Sequence, residues 1–166
     1  MRPIEIVYFL SPLVVGYGTA ALCPVGKNSG ISVQFRPPSV VFGIVWALLF
    51  PLFGLSWVAA SRKSVTSGRP SKTVKRNRKQ QKFQSVMVPV TYGGAILSLG
   101  LWEYIYSSQC GNNKKAGTWV ILLAILFVLM AIQLGTPISR VLACPLLAWL
   151  IFALLMNTTE VQSSSN

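Results

Sequence analysis

Five long apolar segments fill most of this chain of 166 residues. Each is close to the roughly 20 residues that a hydrocarbon core of ~30 Å requires of a helix. They run over 4–22, 39–60, 83–106, 117–135 and 138–156. Charged residues make up only 11% of the chain and hydrophobic residues 52%, whereas a soluble helical domain carries charge on the outer face of each helix. The sequence therefore predicts a protein that crosses a membrane five times.

The same segments predict the fold class. Backbone groups in hydrocarbon must be hydrogen-bonded within the membrane segment, which leaves α-helices or closed β-barrels. Barrel strands alternate apolar and polar residues over about ten positions, whereas the run from Val120 to Ile132 is continuously apolar. We expect an all-α membrane protein, a five-transmembrane-helix bundle that forms one domain over 1–166.

The basic residues are concentrated in one place. Nine of the fifteen lie between Arg62 and Lys82, in a predicted loop over 62–82 that contains no acid and no aromatic residue. Such a run beside a membrane segment is typical of a cytoplasmic loop that contacts anionic lipid headgroups, although a targeting or partner signal stays open. Without aromatic residues to stack on bases, the loop does not suggest nucleic acid as a partner. We expect the N-terminus and this loop in the cytoplasm and the C-terminus opposite.

The three cysteines and the absence of histidine narrow the chemistry. Cys23 follows the first segment and Cys110 the third, so both are expected on the side opposite the basic loop, where they pair if that compartment is oxidising. Cys144 lies inside the fifth segment and is interpreted as a small packing residue. No cysteine pair has metal-ligand spacing, and a haem held by an axial histidine is excluded. We predict no metal site and no catalytic residues.

Two segments carry tryptophan at unusual depth. Trp46 lies about one third of the way into the second segment, whereas tryptophan prefers the membrane interface, so it indicates either a helix interface or the wall of a ligand cavity. It belongs to a face of large side chains at helical spacing. In the fifth segment Trp149 lies one turn after Pro145, and Ala153 and Met156 continue its face. Ordinary helix packing would also explain both patterns.

Three motifs resemble the TspO/translocator protein family, which is also called the peripheral-type benzodiazepine receptor family. The first is Pro37-Pro38-x-x-x-Phe42-Gly43-x-Val45-Trp46-x-x-Leu49-Phe50, which resembles that family's signature. Pro137-x-x-x-x-Leu142-x-x-Pro145-x-Leu147-x-Trp149-x-x-Phe152-Ala153-x-x-x-Asn157 resembles its last helix. Gly117-Thr118-Trp119 resembles the start of its fourth helix. The order and spacing agree across nearly the whole chain.

The resemblance implies a pocket between the helices, roofed by the first loop, that takes protoporphyrin IX or a related tetrapyrrole, or other flat apolar ligands. No cofactor is obligatory. Apolar walls with indole faces suit a flat macrocycle. By position, the residues expected to bind the ligand are Phe42, Gly43, Trp46, Phe50, Trp119, Trp149, Ala153 and Met156. Arg36, at the edge of the loop, is expected to contact a porphyrin propionate or a lipid phosphate.

The chain departs from the family pattern mainly by losing polar groups. Ala95, Leu99 and Gly100 stand where the third helix of the family has Gln, Asn and Trp. Leu123 stands where an acid is usual in the fourth helix. We therefore expect an apolar ligand. The sterol pattern of animal members is also absent, because Thr158 occupies the position of its tyrosine.

Four functions are consistent with this sequence. The first is a TspO-like receptor or regulator that binds porphyrin-type or other flat apolar ligands. The second is a porphyrin-degrading photo-oxidative enzyme, although the sequence shows no general base or nucleophile. The third is a tetrapyrrole or lipid transporter, and the fourth a structural membrane partner with a vestigial pocket, for which a homodimer is open. The mitochondrial outer membrane, the endoplasmic reticulum and the plasma membrane are all candidate locations.

Overall fold

The computed structural model describes residues 2–25, 33–66 and 74–163, with the backbone alone for 63–66 and 74–81. Five helices account for nearly all of these residues, and the described ranges contain no strand. Each helix includes a stretch long and apolar enough to cross a membrane. The all-α bundle of five transmembrane helices is confirmed. Their bounds are α1 Pro3–Leu22, α2 Ser39–Thr66, α3 Val74–Tyr106, α4 Lys114–Leu134 and α5 Pro137–Ser163.

Several helices run past the predicted membrane segments. The basic segment expected as a loop over 62–82 is helical at both ends, since α2 continues to Thr66 and α3 begins at Val74. Residues 67–73, between them, lie outside the described residues, as do 26–32 of the first loop, which was expected to roof the pocket. Lysine, arginine and glutamine form helices well. A change to polar composition therefore marks the end of the apolar segment but not the end of the helix.

The five helices form a closed ring in the order α1, α2, α5, α4, α3, in which α3 returns to α1 and α2 also contacts α3 across the ring. Small residues on α3 allow two close approaches. A methyl group on Gly94 would lie 2.7 Å from the ring of Phe127 on α4, and one on Gly100 would lie 2.8 Å from Val15 on α1. These two small residues therefore pack inside the bundle, whereas Gly93 faces open space.

A buried serine joins three helices at the centre. The Ser56 hydroxyl of α2 donates to the carbonyl oxygen of Ser139 on α5 at 2.7 Å. Because its single proton is used there, the Tyr92 hydroxyl of α3, also at 2.7 Å, donates to the Ser56 oxygen. All three residues are fully buried. Their mutual hydrogen bonds satisfy polar groups that water cannot reach.

Ion pairs link helices at both ends of the bundle. Near the start of α1, Glu5 accepts two hydrogen bonds of 3.0 Å from Arg62 of α2. At the other end, Glu160 of α5 pairs with Lys114 of α4 and also accepts a hydrogen bond from the Tyr106 hydroxyl of α3. These contacts use two of the three acids in the chain.

A disulfide closes the end of the bundle at which α1 and α3 finish. Cys23 and Cys110 are bonded to each other, 87 residues apart in sequence. Next to this bond the Ser107 hydroxyl donates to the carbonyl oxygen of Pro24 at 2.8 Å. The interpretation of Cys144 as a packing residue is wrong, because its side of α5 faces outward and the thiol is free and exposed.

Candidate ligand-binding cavity

A cavity of about 330 Å³ lies toward the end of the bundle that carries the disulfide. This volume is near the lower limit of the range found for small-molecule sites. It is lined by α1, α2, α3 and α5 and by the two described ends of the first loop. Helix α4 supplies none of the lining residues. The lining residues are Ala20, Pro24, Val25, Arg36, Ser39, Phe42, Trp46, Trp102, Glu103, Tyr106, Trp149, Ala153, Met156 and Asn157.

Helices α2 and α5 build an aromatic wall on one side of the cavity. Phe42 and Trp46 are four residues apart on α2, so they project from one face. The indole of Trp149 on α5 meets both rings edge-on, with centroid distances of 5.6 Å to Phe42 and 6.3 Å to Trp46. The planes of the two indoles are at 88° to each other. Two indoles therefore present roughly perpendicular surfaces to one space.

Five of the eight residues predicted to bind a ligand line this cavity together. They are Phe42, Trp46, Trp149, Ala153 and Met156. The three from α5 follow each other at i, i+4 and i+7, which keeps them on one face of the helix. That they bind a ligand stays a prediction.

The other three predicted residues lie elsewhere. Phe50 is buried beneath the aromatic wall, where its ring stacks on Trp46 with centroids 5.0 Å apart. Gly43 is exposed, and a side chain added there would meet nothing within 4 Å. Trp119 is 73% exposed. It follows the buried Gly117 by two residues, which is about 200° around the helix, so Trp119 points away from the bundle.

The polar part of the lining comes mainly from residues that the motifs did not single out as ligand contacts. Glu103 on α3 is buried and lies beside Trp102 and Tyr106, whose rings stack on each other with centroids 5.1 Å apart. Asn157 on α5 is 2% exposed. A sequence signal for Glu103 existed, because an ionisable residue inside a membrane segment is by default a candidate functional residue.

The Glu103 carboxylate is held by a neighbouring helix. It forms a hydrogen bond with the Thr19 hydroxyl of α1. In the described parts of the chain Thr19 is its hydrogen-bond partner and no cation pairs with it. A carboxyl group therefore reaches the cavity with bonding capacity left over.

Asn157 is fixed by contacts to α4. Its Nδ2 donates to the carbonyl oxygen of Lys114 at 3.2 Å and to the Thr118 hydroxyl at 2.9 Å. A carbonyl oxygen only accepts, so the amide orientation follows from the first of these contacts. The Asn157 Oδ1 atom is consequently turned away from both, and it is buried without a partner among the described residues.

The polar residue that α3 contributes to the cavity does not stand at the positions expected from the family pattern. Ala95 and Leu99, which replace Gln and Asn, are buried in the apolar core and do not line the cavity. Glu103 follows Leu99 by four residues and so projects from the same face, one turn closer to the helix end. The cavity therefore has polar groups, although the family positions themselves are apolar. No cluster of three or more potential metal ligands occurs in the described ranges.

Comparison with known proteins assigns the chain to a family. The sequence matches the TspO/MBR family over residues 11–161, which includes the second half of α1, all of α2, α3 and α4, and nearly all of α5. A search of curated proteins finds none that matches. The match extends over nearly the whole chain and agrees with the five membrane-spanning helices. The chain therefore belongs to the TspO/MBR family.

Proposed function

We propose that this TspO-like membrane protein binds flat apolar ligands, porphyrin-type molecules among them, in the cavity between α1, α2, α3 and α5. The observation that carries the proposal is the pair of indoles, Trp46 and Trp149, at 88° to each other along one cavity. Aromatic rings favour offset-stacked and edge-to-face contacts. A flat ring system that stacks on one indole therefore meets the edge of the other.

The rest of the lining supports this class of ligand. Ala153 leaves space beside Trp149, and the flexible side chain of Met156 adapts to irregular shapes. Arg36 at the rim lies 5.8 Å from the centroid of the Phe42 ring, and a guanidinium suits a carboxylate such as a porphyrin propionate. A porphyrin is large for about 330 Å³, so we expect one edge of the macrocycle to enter and its propionates to stay near the rim.

Quenching of tryptophan fluorescence by protoporphyrin IX tests the proposal. The detergent-purified protein is titrated in the dark, beside Trp149→Ala and the matched control Trp119→Ala. We expect saturable quenching that persists in Trp119→Ala, since that indole faces outward. Trp149→Ala should weaken binding by about tenfold or more, because it removes a large stacking surface. Equal affinity in the wild type and Trp149→Ala would place the ligand outside this cavity.

The same titration separates binding from degradation. A receptor leaves the porphyrin spectrum unchanged under illumination once free porphyrin is subtracted, whereas a photo-oxidative enzyme produces new absorption bands. The lining holds hydroxyl and carboxyl groups, such as those of Ser39 and Glu103, and no cluster of potential metal ligands occurs in the described ranges. We expect any such reaction to use the photochemistry of the porphyrin itself.

The chain is a multi-pass integral membrane protein, and we propose an orientation for it. Disulfides persist in oxidising compartments, so the end with Cys23 and Cys110 would face the lumen or the cell exterior. The basic segment at the opposite end would face the cytoplasm. This arrangement fits the endoplasmic reticulum or the plasma membrane. In sealed vesicles of known sidedness, an impermeant maleimide should reach Cys110 of a Cys23→Ser/Cys144→Ser variant only from the non-cytoplasmic side, and labelling from the cytoplasmic side would reverse the orientation.

A further inference from the structure

The three acids of this chain differ in their partners. Glu5 pairs with Arg62, and Glu160 pairs with Lys114. Glu103 is the remaining acid. It is 8% exposed, lines the cavity and bonds Thr19, with no cation pairing with it in the described ranges. A carboxyl group within a membrane is costly unless something compensates for it. The arrangement suggests that a ligand supplies the missing partner.

We propose that Glu103 makes the cavity selective for flat aromatic ligands that carry a protonated amine, with Asn157 as a second acceptor. This inference rests on the proposed function, because it assumes that the cavity binds flat ligands. It adds the polar chemistry that distinguishes one flat ligand from another. The family motifs do not supply it, since Glu103 is not part of them.

The state of Asn157 is an independent observation for the same chemistry. Its Oδ1 atom is buried and has no partner in the described part of the chain, although buried polar atoms are nearly always hydrogen-bonded. Among the lining residues the unmet groups are two acceptors, the Glu103 carboxyl and Asn157 Oδ1, and one donor, the indole N–H of Trp102, so acceptors are in excess and call for donors on the ligand. A primary ammonium or an aromatic amine has several N–H groups and so matches this deficit.

The aromatic wall adds to the preference for a cation. Trp46 and Trp149 offer the ring faces that attract cations most strongly. Among the described residues Arg36 is the one basic residue in the lining, and it lies over Phe42 at the rim. An anion would be attracted by Arg36 but repelled by Glu103. A cation held by Glu103 is attracted by both the carboxylate and the two indoles.

Three probes with one flat three-ring shape test this inference. They are proflavine, which is a cation at neutral pH, anthracene, which is neutral, and anthracene carboxylate, which is an anion. Binding is followed by quenching of tryptophan fluorescence in a neutral detergent. Each probe is titrated into the wild type, Glu103→Gln and the control Glu5→Gln, which removes the same charge far from the cavity.

We expect the wild type to bind proflavine most tightly. Glu103→Gln should lower the affinity for proflavine by about tenfold or more, because it removes a charge-assisted hydrogen bond, and should leave anthracene unchanged. Glu5→Gln should change neither. If Glu103→Gln leaves proflavine affinity unchanged, or weakens all three probes equally, the carboxyl group is only structural and the inference is overturned. Wild-type protein that binds anthracene but not proflavine overturns this inference alone, whereas failure to bind either also overturns the proposed function.

Discussion

Removal of the Cys23–Cys110 disulfide should destabilise the bundle and weaken ligand binding together. The bond closes a loop with a sequence separation of 87 residues, which the chain-entropy relation values at about 4.6 kcal/mol. That figure assumes a fully flexible unfolded chain. In a micelle α2 and α3 keep helical structure after the bundle comes apart, because their backbone groups need internal partners. We therefore expect a loss of about 2–3 kcal/mol in the free energy of unfolding.

The effect should also reach the cavity. Pro24 and Val25 line the cavity directly after Cys23, and the Ser107 hydroxyl holds the Pro24 carbonyl. Without the bond, the segment after α1 loses its covalent attachment to the end of α3. A ligand must then order this segment on binding, so its affinity should fall.

Thermal unfolding of Cys23→Ser/Cys110→Ser in a neutral detergent, followed by tryptophan fluorescence, measures the first effect. A loss of this size corresponds to a decrease in Tm of about 5–10 °C for a chain of this length. The wild type in a strong reductant should behave like the double variant. Cys144→Ser is the matched control, because its thiol is free and exposed. A double variant with the same Tm as the wild type would refute the reasoning. The disulfide would then not reduce the conformational freedom of the unfolded chain.

Two further predictions concern packing at the bundle interior. Gly54→Ala should lower the free energy of unfolding by about 1–3 kcal/mol, because its methyl group would lie 2.5 Å from a backbone oxygen of α1. The control Gly43→Ala should be neutral or stabilising, because a methyl group there would meet nothing within 4 Å. Equal Tm values for the two variants would contradict the close approach of α1 and α2. Ser56→Ala should cost about 1–3 kcal/mol because it removes the buried hydrogen bonds of the Ser56 hydroxyl to Tyr92 and to a carbonyl of α5. The exposed Ser85→Ala is its control, and resistance to detergent-induced unfolding that matches this control would show that the central hydrogen bonds contribute nothing.

The number and order of the helices could be predicted from the sequence. The length of an apolar segment can be read from that segment alone, without knowing what packs against it. The cavity wall was also predictable in part. Residues four apart share a helix face, so Phe42 with Trp46 and Trp149 with Ala153 had to project together. The length of the basic helix extensions was not predictable, because lysine, arginine and glutamine are found both in helices that continue into water and in loops.

The residues predicted for the site that do not line the cavity are those for which a motif gives a position but not the direction of the side chain. Trp119 stands in a family motif, yet the buried face of α4 passes through Gly117 and Ile121, on the other side of the helix. Glu103 was visible as an acid in an apolar segment, but its role depends on which helix packs against it. Sequence shows that Glu5 and Glu103 both lie near segment ends. Only the packing shows that one meets Arg62 and the other Thr19.

The partners of the three acids also fit the order in which the ribosome makes the chain. Glu103 enters with α3 when Thr19 is already present in α1, and Glu160 arrives last, after Tyr106 and Lys114. Glu5 alone waits for a later residue. It lies at the start of α1, and Arg62 follows with the next helix. No carboxyl group has to cross the bilayer ahead of a distant partner, so the bundle can close step by step during its own biogenesis.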